Sequence, residues 1–137
     1  MRHATGTTTI AAPAAIIREA LVSATQLPEW NPAFVRVGGP TVATVDVEYE
    51  LETIMGRHGS LTYTRIEPDR IVMTWRVPLL RERGTWLIEE HGPAHTRVTH
   101  SVERHGALVA AIAHTLGTLP QLRLDRLTAR AREARLL

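Results

Sequence analysis

The stretch "TQLPEWNPAFVRV" (residues 25–37) marks the point where the chain changes from helical to strand periodicity. Pro28 interrupts a short helix or turn, and Asn31 followed by Pro32 is typical of a helix end and a tight turn. From residue 34 onwards the pattern has a period of two, as in a strand. Trp30 stands at this corner, where its large apolar surface would fill the space between helix and sheet. The alternative is that Trp30 guards the mouth of a ligand pocket.

The segments before this corner predict one strand and two short helices. Residues 5–10, "TGTTTI", are rich in β-branched side chains, which favour a strand. Residues 11–25, "AAPAAIIREALVSAT", carry apolar residues at helical spacing, and Pro13 is well placed for the first helical turn. The interrupted segment around Pro28 is the second short helix or turn.

The segments after the corner predict a run of about six strands. In "VDVEYELETIM" (45–55) apolar residues alternate with acidic ones, which is typical of a strand with one buried face. Two strands flank a Pro-Asp turn in "GSLTYTRIEPDRIVMTWRV" (59–77). Two more strands, "GTWLIEE" (84–90) and "TRVTHSVER" (96–104), are joined by a turn.

The last part of the chain predicts a long helix that covers the sheet. Residues 107 to about 135 carry apolar side chains along one side, and Gly117 and Pro120 predict a bend or break. A sheet with one apolar face needs a covering layer, and this helix is the only element able to supply it. The predicted fold class is therefore α+β, with a curved antiparallel sheet of six to seven strands wrapped around the C-terminal helix and two short helices after the first strand.

Composition predicts one cytoplasmic domain, 1–137, without cysteine chemistry. No apolar run approaches the ~20 residues needed to span a bilayer, and the N-terminus lacks a secretory signal. All sixteen basic residues are arginine, and they are spread among fourteen acidic residues to give a formal net charge of +2. Since nucleic-acid binding proteins usually cluster their basic residues, no nucleic-acid partner is predicted. His91 and His95 flank a turn with no third ligand evident, so we predict no metal and no cofactor.

Several stretches in a fixed order resemble the SRPBCC superfamily. They are "IAAPAAIIREAL" (10–21), "LPEWNP" (27–32), "IEPDRIVMTW" (66–75) and "HTRVTHSVE" (95–103), followed by the terminal helix. That superfamily contains START-like lipid-binding domains, Bet v 1-like proteins and polyketide cyclases, which share the helix-grip fold. The resemblance implies a small-molecule pocket between the curved sheet and the last helix.

Strand alternation predicts which side chains face such a pocket, because alternate residues of a strand share one face. The predicted ligand contacts are Trp30, Tyr49, Tyr63, Met73, Trp75, Trp86 and His100 from the corner and the sheet, with Ile112 and Leu116 from the last helix. The alternative for the sheet aromatics is that they are plain core residues.

Two polar residues, Arg65 and His100, fall on this apolar face by the same alternation. A buried arginine is costly unless it is paired or serves a ligand, and a histidine can transfer protons near neutral pH. The resemblance adds a role for Arg65, because aromatic-polyketide cyclases carry a pocket arginine on the strand before a comparable Pro-Asp turn. Arg65 would polarise a substrate carbonyl, and His100 or Tyr63 would move a proton.

The same residues also have structural interpretations. Arg65 could reach solvent at the strand end and pair with an acid such as Glu67, and His100 could be a satisfied core histidine. A bulge of one residue would turn either side chain outward.

The leading functional hypothesis is a protein that binds a small hydrophobic molecule, aromatic or polyketide-like. In its enzymatic version the chain also catalyses cyclisation or dehydration, with Arg65, His100 and Tyr63 as catalytic candidates. The alternative is a non-catalytic carrier, sensor or partner-binding protein, acting as a monomer or a homodimer. The polar content of the cavity distinguishes the two, because a catalyst needs convergent polar groups.

Overall fold

The computed structural model describes residues 2–112 and 116–136, apart from the side chains of residues 55, 135 and 136. The strands are β1 (Arg2–Ile10), β2 (Phe34–Gly38), β3 (Glu48–Thr53), β4 (His58–Glu67), β5 (Arg70–Val77), β6 (Leu80–Glu90) and β7 (Thr96–His105). The α-helices of the described residues are α1 (Ala14–Val22) and α2 (Leu119–Leu136), and 3₁₀ turns occur at Ala24–Glu29 and Ile54–Gly56.

The strands form one antiparallel sheet in the order β1-β7-β6-β5-β4-β3-β2. Each strand from β2 to β6 pairs with the next one along the chain, and β1 pairs with β7. Helix α2 packs against β1, β7 and α1. The predicted helix-grip fold is therefore confirmed, with its curved sheet, C-terminal helix and short helices after the first strand.

The corner between the short helices and the sheet is built around Trp30. The Trp30 N–H donates to the Leu27 carbonyl oxygen at 3.2 Å and ends the 3₁₀ turn. Asn31 Oδ1 then accepts a hydrogen bond from the Ala33 N–H at 3.0 Å, a local turn that asparagine favours. The Trp30 ring is buried and packs edge-to-face on Trp86, with 5.6 Å between ring centroids. Trp30 thus fills the corner between helix and sheet.

The C-terminal helix is shorter than the sequence predicted. Residues 107–112 form turns, and α2 begins only at Leu119. Gly106 has a φ of 117°, which interrupts regular structure directly after β7. Pro120 is the second residue of α2, within the first turn, where proline is tolerated. The prediction of a helix was wrong for residues 107–112, and Ile112 belongs to the turn segment, while residues 113–115 lie outside the described residues. The predicted break near Gly117 and Pro120 is confirmed by the turn at residues 117–118.

Replacing Gly59 with alanine should destabilise the protein by about 1–3 kcal/mol. A Cβ atom at this position in β4 would overlap the backbone carbonyl oxygen of Arg76 in the neighbouring strand. Backbone cannot move aside as a flexible side chain can, so the strands would have to separate. Urea unfolding of the purified variants measures the loss. Gly117→Ala is the matched control, since a Cβ there meets nothing within 4 Å, and equal stabilities for both variants would contradict this account.

Candidate functional site

The inner face of the sheet carries the aromatic side chains that the sequence predicted to face a pocket. Trp86 of β6 stacks on His100 of β7, with 3.6 Å between ring centroids and 15° between ring planes. Trp75 of β5 packs edge-to-face on Phe34, with 5.7 Å between centroids. Apart from Ile112, which is partly buried, the predicted ligand contacts are all buried: Trp30, Tyr49, Tyr63, Met73, Trp75, Trp86, His100 and Leu116.

Trp30, Trp86 and His100 form an aromatic stack. A buried ion cluster of Glu82, Arg104 and Arg123 lies beside this aromatic stack. The carboxylate of Glu82 accepts hydrogen bonds from Arg104 Nε at 2.9 Å and from Arg123 Nη1 at 2.8 Å. It also accepts one from the Trp75 indole N–H at 2.8 Å. Glu82 and Arg123 are each 1% exposed and Arg104 is 6% exposed. Two guanidinium groups therefore share one carboxylate, and the cluster carries a net positive charge.

Strand register places the ion cluster and the aromatic stack on the same face of the sheet. In β6 the side chains of Glu82 and Trp86 alternate with outward-facing residues, and Gly84 lies between them. In β7 Arg104 stands opposite Glu82, and His100 stands opposite Trp86. Gly84 leaves room for the imidazole, because a Cβ atom there would lie 3.3 Å from the His100 Cε1 atom.

His100 is neutral and fixed in one tautomer. Its Nδ1–H donates to the Thr85 carbonyl oxygen at 3.1 Å, and Nε2 accepts from Arg123 Nη1 at 3.3 Å. Burial, together with the positive charge of Arg123, lowers the pKa of His100 to about 3, although Glu82 and the bond to Thr85 oppose the shift. Both ring nitrogens are occupied, so this histidine has no free lone pair with which to accept a proton.

The charge of Glu82 is maintained by its arginine partners. Burial raises the pKa of this carboxyl group, but the charges of Arg123 and Arg104 and the hydrogen bonding by Arg123 outweigh burial and lower the pKa to about 2. The ion cluster is therefore fully charged at neutral pH.

Two buried N–H groups around the stack lack a hydrogen-bond partner in the described part of the structure. They are Arg123 Nε and Trp30 Nε1. An unsatisfied buried donor costs about 1–3 kcal/mol, so native proteins rarely leave one unpaired without a reason.

The inner-face tyrosines use their hydroxyl groups to hold neighbouring segments. The Tyr63 O–H donates to the Leu21 carbonyl oxygen at the end of α1, at 2.5 Å. Burial and, to a smaller extent, Tyr49 raise the pKa of Tyr63. The Tyr49 O–H donates to the Pro40 carbonyl oxygen at 2.7 Å. Because the Tyr63 proton is engaged with the backbone, this arrangement does not offer it to a substrate.

Comparison with known proteins identifies the family of this chain. Residues 1–132 match the family described as polyketide cyclase / dehydrase and lipid transport. The chain belongs to this family. The SRPBCC relationship that the sequence motifs indicated is thereby confirmed. No curated protein sequence matches the chain significantly.

Solved structures of similar fold share little sequence with this polyketide cyclase / dehydrase family chain. A START superfamily protein from Mycobacterium smegmatis has a TM-score of 0.78 at 17% identity, covering 96% of this chain and 98% of that one. Norcoclaurine synthase from Thalictrum flavum, solved with dopamine and hydroxybenzaldehyde, has a TM-score of 0.71 at 14% identity, covering 96% and 87%. The di-domain aromatase/cyclase BexL from the BE-7585A biosynthetic pathway has a TM-score of 0.73 at 18% identity, covering 96% and 47%. These similarities establish the fold.

Arg65, which the cyclase resemblance put in the pocket, does not lie on the inner face in this family member. The pairing of β4 with β5 shifts by one residue between Tyr63, opposite Met73, and Arg65, opposite Val72. This bulge turns the Arg65 side chain outward, where it is 50% exposed and its Nε lies 3.1 Å from the carboxylate of Glu67. The predicted pocket position of Arg65 was wrong, and its exposed pairing with Glu67 is the alternative that the sequence also allowed.

The sequence did not predict the ion cluster, although strand alternation could have placed two of its three residues. Extending the alternation of β6 and β7 by one step places Glu82 and Arg104 on the inner face together with Trp86 and His100. Arg123 lies one helical turn before Leu127 on the buried side of α2. An arginine in that position is normally a solvated residue, so its pairing with Glu82 became visible only from the packing of α2.

Neither of two surface cavities is lined by the aromatic stack or the ion cluster. A groove of about 450 Å³ runs between α1 and α2, and its lining includes Ala20 and Arg130. Another lies against β1, β5, β6 and β7 and is lined by residues that include Arg70 and Arg83. In the described ranges, no helix is long and apolar enough to cross a membrane. No cluster of three metal-ligating side chains occurs among the residues that the structure describes.

Proposed function

We propose that the chain binds a small, largely apolar molecule between the inner face of the sheet and α2. Membership of the family supports this proposal, since the family description includes both catalysis on polyketides and lipid transport. The aromatic stack of Trp30, Trp86 and His100 also supports it, since aromatic side chains commonly line ligand sites.

The buried ion cluster is the observation that carries the proposal. Replacing a buried ion pair with apolar residues is often neutral or stabilising, so such a cluster is a poor device for stability. Here it lies among the tryptophans of an otherwise apolar interior. A few positioned polar groups on apolar walls are the usual composition of a small-molecule site.

Access to this site requires movement, because the residues that line it are almost fully buried. The turn segment 106–112 covers the end of the sheet beside Arg104, and the Leu108 N–H donates to the Leu79 carbonyl oxygen at 3.1 Å. Residues of a turn segment separate from a sheet at lower cost than a paired strand does. We therefore propose this segment as the part that opens when a ligand enters.

Catalysis of cyclisation or dehydration has weaker support than binding. The three catalytic candidates do not converge on a common position. Arg65 faces solvent, the hydroxyl of Tyr63 bonds to the backbone of Leu21, and both ring nitrogens of His100 are occupied. A catalyst needs convergent groups within reach of the reacting atoms, whereas a carrier or sensor needs only a wall that fits its ligand.

Calorimetric titration with 2-naphthalenemethanol, a neutral apolar probe, tests the proposal. We expect saturable binding with one molecule per chain, and native mass spectrometry should show the same stoichiometry. Trp86→Leu should raise Kd at least about tenfold, because the flat surface of the stack is lost. Ala20→Glu, in the groove between α1 and α2, should leave Kd unchanged.

Each other outcome counts against the site. Absence of saturable binding by both methods would overturn the proposal. Loss of binding in Ala20→Glu with normal binding in Trp86→Leu would move the ligand to the surface groove. Circular dichroism of both variants verifies that they are folded before the Kd values are compared.

A further inference from the structure

The charge balance of the interior indicates what kind of ligand the site takes. Arg104 and Arg123 both bond to Glu82, and no other acidic side chain pairs with either of them in the described residues. His100 is neutral, so it leaves the net positive charge of the cluster unchanged. An uncompensated charge in an apolar interior is costly, and a bound anion would remove that cost.

We infer that the ligand of the inner-face site carries an oxyanion, such as a carboxylate, that binds to Arg123. This inference rests on the proposed function and specifies the chemical class of its ligand. With the anion bound, two guanidinium groups would face two negative groups, and the interior charge would be balanced. Arginine suits this role because its planar guanidinium group presents several donors to a carboxylate.

The unpaired donors support the same assignment. Arg123 donates from Nη1 and Nη2 to Glu82, while its Nε–H has no partner in the described part of the structure. The Trp30 indole N–H is also unpaired. Trp30 contacts Trp86, Trp86 stacks on His100, and His100 accepts from Arg123. The two unpaired donors therefore belong to the residues at the two ends of one continuous chain of contacts.

Arg104 gives the cluster its contact with solvent. Its side chain is 7% exposed, against 2% for the side chains of Glu82 and Arg123. The guanidinium carbon of Arg104 lies 5.9 Å from the centre of the Trp75 ring. Because Arg104 adjoins the turn segment 106–112, an anion entering there would meet a positive charge first and Arg123 deeper in the interior.

A pair of probes with the same ring system tests the inference. Calorimetry compares 2-naphthoate with 2-naphthalenemethanol at pH 7.5, where the first is an anion and the second is neutral. We expect the wild-type chain to bind the anion at least about tenfold more tightly. In Arg123→Met the preference should fall to about twofold or less, and Arg126→Met, an exposed position on the same helix, should keep it.

The outcomes separate this inference from the proposed function. If neither probe binds, the proposed function fails. If both bind with equal affinity to the wild-type chain, the site exists but does not select an oxyanion, and this inference alone is overturned. Retention of the full preference in folded Arg123→Met would likewise overturn it. If Arg123→Met does not fold, equal binding of the two probes by the wild-type chain still overturns the inference.

Discussion

Replacing Glu82 with glutamine should lower the free energy of unfolding by about 3–5 kcal/mol, the range for removing one partner of a buried ion pair. The carboxylate is the acid to which Arg104 and Arg123 both bond, at 2.9 and 2.8 Å. Glutamine keeps the size of the side chain but removes the charge, so two guanidinium groups would remain buried without a counter-ion. The glutamine Oε1 can still accept from the Trp75 indole N–H, but the carboxamide NH₂ replaces the other oxygen, so the variant also loses the acceptor for Arg104 Nε.

Urea unfolding monitored by tryptophan fluorescence measures this effect. Glu50→Gln is the matched control, because Glu50 pairs with Arg36 at 3.4 Å on the surface, where its side chain is 81% exposed. An exposed pair contributes about 0–1 kcal/mol, so the control should unfold almost like the wild type. Arg123→Met should be milder than Glu82→Gln, since it leaves one guanidinium group with one carboxylate. Similar stabilities for Glu82→Gln and Glu50→Gln would contradict the role of Glu82 as the counter-ion of the two buried arginines.

Stability should fall steeply as the pH decreases from about 6.5 to about 3, through His100. The folded protein holds the pKa of His100 at about 3, below its ordinary value of 6.5, so the unfolded chain binds the proton more readily. The stabilisation from neutral His100 is complete above pH 6.5 and is lost as the pH falls towards 3. At about 1.4 kcal/mol per pKa unit, the loss amounts to several kcal/mol. Glu82 acts in the same direction at lower pH, between its ordinary value of 4.5 and about 2.

The free energy of unfolding at a series of pH values tests this dependence. His100→Gln can keep the donor to Thr85 and the acceptor for Arg123 but does not titrate. We therefore expect a flatter profile between pH 6.5 and 4.5 for this variant. His58→Gln, at an exposed position in β4, should retain the wild-type slope. A slope in His100→Gln equal to that of the wild type would contradict the assignment to His100.

Strand alternation in the sequence was sufficient to identify the inner face. Met73, Trp75, Trp86 and His100 are buried there as predicted. The alternation failed at Arg65, because one extra residue in β4 reverses the face of everything that follows it. Apolar and polar residues alternate both before and after Thr64. The sequence at Thr64 therefore does not distinguish a regular strand from a bulged one.

Local periodicity and turn chemistry were enough to predict the order of the elements, the antiparallel sheet and the corner at Trp30. The first residue of α2 and the face that it turns towards the sheet became known from the packing of the folded chain. That packing joins Arg123 to Glu82 across 41 positions of the chain. Contacts of this kind depend on the rotation of a helix about its axis and on its position on the sheet. The periodicity of the helix or of the strand predicts neither of these. The charge balance of the interior, and with it the proposed oxyanion site, is therefore a property of the folded chain.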